Sequence, residues 1–542
     1  MSFEIMDKDL LGRIGKFETK SGKVETPLLF PVINPGIQPI SPKKLQNEFG
    51  CEALITNAYI INKNFKEIAV EKGLHKFLDF NGSIMTDSGA YQLLIYKGIE
   101  TTPKKIVQFQ EAIDTDIATI LDIPTGWGVS KEYAKYTVTE TIKRAKALKK
   151  MKSRDELAWV GPVQGGQYLD LIAKSAKAMG KLPFQVHALG SPTPVMEQYK
   201  FDVLVDMIAT AKMNLPPERP LHLFGAGHPF MFALAVALGC DLFDSAAYAL
   251  FARQDRYLTD SGTKRLSELE YFPCSCPVCS KTDPKTVREL SKDERHRLLS
   301  EHNLHVSFGE LRRVKQAITE GRLWEHMEMR AYGHPSLLQA LKKVKTYSNY
   351  IEKHSPVHKK GGVFLFNSTS LARPEVVHYQ KRIVSRYNPS QEAKLLLLLP
   401  QTIKKPFHTS KEHETLLQNI HEKMPDKVDS IHVCTYTAPF GVVPTELDDV
   451  YPVSQSIMTA PFDDETISNV AQQTQNYLMA TNYKNAVLLR EPKVWKGKVL
   501  SACKRACKKK QIPLEVVEGK EPWEENSIAH LIEVINEILS SA

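Results

Sequence analysis

Short apolar runs recur along the first two-thirds of the chain. Each is followed by a polar or glycine-bearing loop and then by a segment with helical spacing. In order they cover residues 27–33, 53–57, 83–87, 117–122, 158–164, 184–190, 221–225 and 241–244. A continuous apolar run is the pattern of a strand covered on both faces, as in a parallel sheet wrapped by helices. Eight strand–helix units predict an α/β fold of the (β/α)8 TIM-barrel type, with an open doubly wound sheet as the alternative. The longest purely apolar run, 230–238, predicts a buried helix and is far too short to span a membrane.

Around residues 348–362 the composition turns polar and basic, ending in Lys359-Lys360-Gly361-Gly362. A boundary there gives a barrel domain over 1–360 and a second region over 361–542. The second region carries apolar runs at 363–366, 394–400, 431–435 and 486–489, separated by helical segments such as 465–479 and closed by an amphipathic helix over 527–539. This predicts a smaller α/β domain.

In a TIM barrel, the C-terminal strand ends carry the chemistry. Here those ends present Asp87, Asp122, Gln164, Gly190, Gly225 and Asp244. Aspartate and glycine are common in ordinary loops, and Asp244 taken alone reads as a helix N-cap. Three carboxylates and a carboxamide at strand ends are explained less well that way.

The net charge of +9 fits a polyanionic partner without requiring one. Basic clusters at 141–150, 312–315 and 504–510 are candidate phosphate contacts, with a solvated helix face as the alternative. Eight cysteines in 542 residues are too few for a disulfide scaffold. Three of them, Cys274, Cys276 and Cys279, crowd into one short stretch, the spacing of a zinc site in a reducing cytoplasm. Tetrahedral zinc needs a fourth ligand, for which His296, His302 and His305 are candidates and His302 is favoured. Three thiolates and an imidazole leave no open position, so the expected Zn2+ is structural. The polar first twenty residues show no targeting signal, so a cytoplasmic protein is expected.

Several motifs resemble the tRNA-guanine transglycosylase family. They are Met85-Thr86-Asp87-Ser88-Gly89-Ala90-Tyr91-Gln92, Leu121-Asp122-Ile123-Pro124-Thr125, Gly161-Pro162-Val163-Gln164-Gly165-Gly166, His187-Ala188-Leu189-Gly190-Ser191, Phe243-Asp244-Ser245-Ala246-Ala247-Tyr248, and the cysteine cluster with His302-Asn303. Leu-Asp-Ile-Pro-Thr and Phe-Asp-Ser-Ala-x-Tyr-Ala are similar to the archaeosine-type branch. That branch exchanges guanine at position 15 of the tRNA D-loop for 7-cyano-7-deazaguanine (preQ0) on a zinc-containing TIM barrel.

The resemblance implies that Asp244 and Asp87 are catalytic. Asp244 would be the nucleophile at the ribose and Asp87 the general acid/base, with the opposite division of roles also open. Asp122 and Gln164 would hydrogen-bond the base, the backbone of Gly190 and Ser191 would approach its edge, and Tyr91 would stack on it. Cys274, Cys276, Cys279 and His302 would hold the zinc. The implied partners are tRNA, guanine and preQ0, with a homodimer expected. The sequence shows no evident PUA domain, which makes a separate PUA-bearing chain a candidate partner.

In the second region, Pro400-Gln401-Thr402-Ile403-Lys404-Lys405-Pro406-Phe407 resembles a motif of archaeosine synthase, with Gln401 in place of a cysteine and Phe407 in place of a tyrosine. The alternatives to base exchange are therefore an archaeosine synthase-like paralogue and a non-catalytic tRNA-binding subunit. The second region itself is expected to help hold tRNA.

Overall fold

The structure is a computed structural model that describes residues 2–90 and 101–541. The chain divides into two compact units, Met1–Ser355 and Pro356–Ala542.

The first unit opens with an antiparallel sheet of β1 (Phe3–Asp9), β2 (Gly12–Thr19) and β3 (Gly22–Thr26). Eight parallel strands follow: β4 (Leu28–Ile33), β5 (Ala53–Asn57), β6 (Ser83–Asp87), β7 (Ile117–Thr119), β8 (Ala158–Val163), β9 (Val186–Leu189), β10 (Leu221–Leu223) and β11 (Leu242–Ser245). They close into a barrel, with β11 pairing both β10 and β4. Closure rules out the open doubly wound sheet. The strands are apolar throughout because helices cover the outside while side chains fill the inside: every residue of β5 and of β8 is buried. The run at 230–238 forms a 3-10 turn, Pro229–Met231, and a helix, Phe232–Ala237, all of it buried.

Side chains alternate along a strand, so an inward residue fixes the direction of the residue two places on. The barrel interior gathers Leu28, Phe30, Ile55, Met85, Val160, Ala188 and Leu242. Burying such side chains contributes about 1.5–3 kcal/mol each. From Met85 the pattern directs Asp87 to the inside of the barrel mouth, and from Leu242 it directs Asp244 there. Phe17 and Val24 of the opening sheet join the same cluster and plug the far end.

At that far end, Arg13 of β2 donates from Nε to Asp241 Oδ1 at 2.9 Å, and both side chains are buried. Asp241 Oδ2 also accepts the Leu221 amide at 2.8 Å. Asp116 Oδ2 accepts the Ile84 amide at 2.7 Å in the same layer. These acids close strand starts that would otherwise leave amides unpaired.

After the barrel, a hairpin of β12 (Arg256–Thr259) and β13 (Gly262–Arg265) leads into the cysteine-rich loop. A long helix, Lys292–Glu320, then begins at a capping box between Ser291 and Glu294 and ends at Gly321, whose φ of +71° suits the left-handed cap.

The second unit has a five-stranded sheet ordered β17–β16–β15–β19–β20, from β15 (Leu395–Pro400), β16 (Ile431–Thr437), β17 (Gly441–Pro444), β19 (Asn485–Leu489) and β20 (Leu514–Val517). Only β17 runs antiparallel to its neighbour. The unbroken leucine run of β15 serves two faces at once. Leu396 and Leu398 pack with Tyr436 and Trp495, while Leu395, Leu397 and Leu399 pack with Ile420 and Leu531. The helices Asp464–Ala480 and Glu525–Ser540 stand where helical spacing predicts them. A small parallel pair, β14 (Val363–Phe364) with β18 (Ser456–Ile457), completes the unit.

Candidate active site and metal centre

The mouth of the barrel brings three carboxylates into one field. Asp87 ends β6, beside Asn57 at the end of β5, its partner in register. Asn57 Nδ2 donates to Asp87 Oδ2 at 2.9 Å, while Asn57 Oδ1 caps the following helix by accepting the Ile60 amide at 3.0 Å. Burial pushes the Asp87 carboxyl up to about 7, and the negative charges of Asp122 and Asp244 push in the same direction. The repulsion registers only because the three groups are close to one another. A carboxyl poised near neutrality can give and take a proton at physiological pH.

Asp122 lies just past the end of β7, which stops at Thr119, shorter than the apolar run suggests. It is buried, and burial pushes it up to about 6 against the opposing pull of its hydrogen bond from Gln164. Gln164 Nε2 donates to Asp122 Oδ2 at 2.6 Å. Gln164 Oε1 accepts the Thr125 amide at 2.8 Å and the Ser191 hydroxyl at 3.1 Å. The carboxamide is thus held in one orientation, its oxygen towards two donors and its nitrogen towards the acid.

Gly190 follows β9 and donates its amide to Val163 O at 2.9 Å. A Cβ at Gly190 would lie 2.2 Å from Gln164 Nε2, so glycine makes room for the carboxamide. Ser191, at φ +61°, turns its hydroxyl onto the same group. Tyr91, the expected stacking aromatic, lies outside the described residues.

Asp244 is the penultimate residue of β11, at the barrel mouth, and Ala246 occupies the N-cap of the next helix. The helix-cap reading of Asp244 is therefore overturned. Its Oδ1 accepts from His222 Nε2 and from the Gly225 amide, each at 2.9 Å. Asn57, His222 and Gly225 complete the site, and of these only Gly225 stood out in the sequence. His222 sits between two leucines, where a histidine reads as core.

Of the basic clusters, 141–150 is tied partly into the barrel. Arg144 donates to Leu121 O at 3.1 Å and, with Lys143, pairs with Glu140. Arg313 pairs with Glu310 and Lys315 with Glu25. In the second unit, Gln401 Oε1 accepts from Thr437 Oγ1 and the Ala438 amide, each at 2.9 Å. Lys405 Nζ donates to Ser456 Oγ at 2.9 Å, and burial lowers it to about 8. Gln401 thus ties the end of β15 to the end of β16 and the residue after it, and its carboxamide is no nucleophile.

Cys274, Cys276, Cys279 and His302 form a metal cage, their donor atoms all within 4.8 Å of one another. His302 Nδ1 lies 3.5 Å from Cys276 Sγ and 3.2 Å from Cys279 Sγ. Four-coordinate zinc with ordinary bond lengths would separate S and N donors by roughly 3.5 Å. His302 Nε2 is 2.9 Å from Leu258 O, which fixes Nδ1 as the metal-facing nitrogen. Tyr257 stacks on the imidazole with ring centroids 3.6 Å apart. The other candidates point elsewhere: His296 bonds Ala249 O, and His305 packs on Phe49.

A closed parallel barrel with this mouth, followed by a segment whose four donors could hold one metal ion, defines a TIM-barrel enzyme. The Queuine tRNA-ribosyltransferase family matches residues 8–336, and a domain family of unknown function matches residues 376–535. The chain is 45% identical over 479 residues to the tRNA-guanine(15) transglycosylase of Methanocaldococcus jannaschii, covering 86% of this chain and 70% of that protein. It is 44% identical over 475 residues to the like-named protein of Methanosarcina mazei (87% and 90% covered). It is 42% identical over 493 residues to that of Sulfolobus acidocaldarius (90% and 95% covered). The chain belongs to the tRNA-guanine transglycosylase family, whose members are pentosyltransferases. Among the described residues no helix is long and apolar enough to cross a membrane.

Proposed function

We propose that this protein exchanges guanine at position 15 of tRNA for preQ0 through a covalent aspartyl–ribose intermediate. The observation that carries the reading is the placement of Asp87 at the end of β6 and Asp244 near the end of β11 at one barrel mouth, where Asp87 feels the charges of Asp122 and Asp244. Relatives bearing the name tRNA-guanine(15) transglycosylase support the substrate class.

Asp244 attacks C1′ and forms a C–O bond as the C1′–N9 bond breaks. The bonding pair leaves with guanine, which takes a proton from Asp87. The incoming base gives its N9 proton to the Asp87 carboxylate, attacks C1′ and displaces Asp244. Protons balance over the cycle, and two inversions retain the configuration at C1′. Asp122 accepts from N1–H and the exocyclic amine of the base, and Gln164 donates to its carbonyl. The target nucleotide has to leave its stack to enter the mouth.

The test is release of labelled guanine from tRNA preloaded at position 15, in the presence of preQ0. Loss of release in both Asp87→Ala and Asp244→Ala supports the reading; normal release in both overturns it.

The same reading makes the cage metal zinc, closed and structural, pinning the loop after β13 to the helix Lys292–Glu320. Elemental analysis should find one zinc per chain. Cys276→Ser should lose the zinc and melt at lower temperature. Protein that contains no metal but melts like the wild type would contradict this role.

A further inference from the structure

We propose that His222 is a positioning residue for Asp244, holding one carboxylate oxygen by a hydrogen bond so that the other faces the ribose. The inference rests on the base-exchange reading and adds to it a residue from outside the family-like motifs.

His222 lies on β10 and is 0% exposed. Phe30 stacks on its ring with centroids 5.8 Å apart, and Phe224 approaches to 4.6 Å. A buried histidine inside a barrel would ordinarily satisfy both ring nitrogens. Here Nδ1 is buried with no hydrogen-bond partner among the described residues. Only Nε2 is engaged, 2.9 Å from Asp244 Oδ1. A carboxylate can only accept, so the proton of the bond sits on Nε2. Leaving Nδ1 as a bare lone pair avoids burying a second N–H without an acceptor. The apolar walls fix the ring for this single bond.

The Gly225 amide delivers a second hydrogen bond to the same oxygen. Gly225 has φ +69°, and a Cβ there would sit 2.4 Å from Thr193 Oγ1, so the turn that aims this amide requires glycine. Oδ2 receives no hydrogen bond among the described residues. One oxygen is clamped and the other is available, as an aimed nucleophile requires.

The clamp acts in both halves of the exchange. During attack it fixes the direction of Oδ2. In the intermediate Oδ1 becomes the carbonyl oxygen of the glycosyl ester. When the incoming base displaces the ester, charge returns to the carboxylate and the two donors are already in place to stabilise it.

Two variants separate the bond from the packing. His222→Phe keeps an aromatic ring between Phe30 and Phe224 but removes the donor. His222→Gln discards the ring but keeps an N–H at similar reach. Both are assayed for labelled-guanine exchange, for KM towards tRNA and for thermal unfolding. His222→Phe should lower kcat roughly 100-fold with KM for tRNA unchanged, and His222→Gln should recover most of that loss. An active Phe variant beside an inactive Gln variant, or a loss confined to KM, would overturn the proposal in favour of packing. If His222→Phe does not fold, an inactive but folded His222→Gln overturns it alone. Wild-type protein that exchanges no guanine would instead remove the base-exchange reading, and the clamp with it.

Discussion

Asp241 stands at one end of the barrel and Asp244 at the other, three residues apart in the sequence. Asp241 is buried against the Arg13 guanidinium and takes the Leu221 amide as well. Among the described residues Asp244 pairs with no lysine or arginine; it shares the mouth with Asp87 and Asp122 and is held by a histidine and a backbone amide. The far end matches each acid with donors and closes the fold. The mouth sets the Asp87 carboxyl against the charges of Asp122 and Asp244. Residue type is the same at both positions, so under the proposed function the surroundings set the structural aspartate apart from the reactive one.

That contrast breaks most visibly in activity. Asp244→Asn should reduce exchange by roughly 10⁴-fold or more while leaving the melting temperature close to wild type. Asp241→Ala should do the reverse. It strands Arg13 in a buried site and should destabilise the fold by about 3–5 kcal/mol, read by denaturant unfolding, while exchange per folded molecule persists. An Asp241→Ala protein as stable as the wild type would erase the distinction between the two ends.

The smallest effect is the pH dependence of stability. The Asp87 carboxyl is raised from 3.8 to about 7, so the native state binds its proton more tightly than the unfolded chain does. Stability from this group is present at low pH and is lost as pH rises through that window. Asp87→Asn should therefore match the wild type below about 4, gain on it through the window, and hold an advantage above about 7 on the order of 1–2 kcal/mol, below the full shift because Asp87 is partly open to the mouth. Unfolding curves across the window check the sign, and an advantage that shrinks with rising pH would contradict it.

The barrel was legible because its strands are buried on both faces and therefore read as continuous apolar runs; all eight such runs hold a barrel strand. The opening sheet was not, because β1 shows water most of its residues and lacks any such run. β17 and β20 escaped for a related reason: the four-residue Gly441–Pro444 and Leu514–Val517 offer too little pattern. At the site, Asp87, Asp122, Gln164 and Asp244 announced themselves as polar groups ending apolar runs. His222 did not, since a histidine between Leu221 and Leu223 looks like core until its inward register is known. Asn57 did not stand out either, because its bond to Asp87 depends on the pairing of β5 with β6. The cage was the most legible feature, because closely spaced cysteines have few other uses in a reduced protein.

The most direct test is to trap the intermediate. Wild-type protein mixed with substrate tRNA and quenched under denaturing conditions should yield a covalent protein–RNA adduct, and proteolysis should place it on the peptide that contains Asp244. Asp244→Asn should form none. An adduct on the Asp87 peptide, or one that persists in Asp244→Asn, would contradict the assignment of Asp244 as the nucleophile.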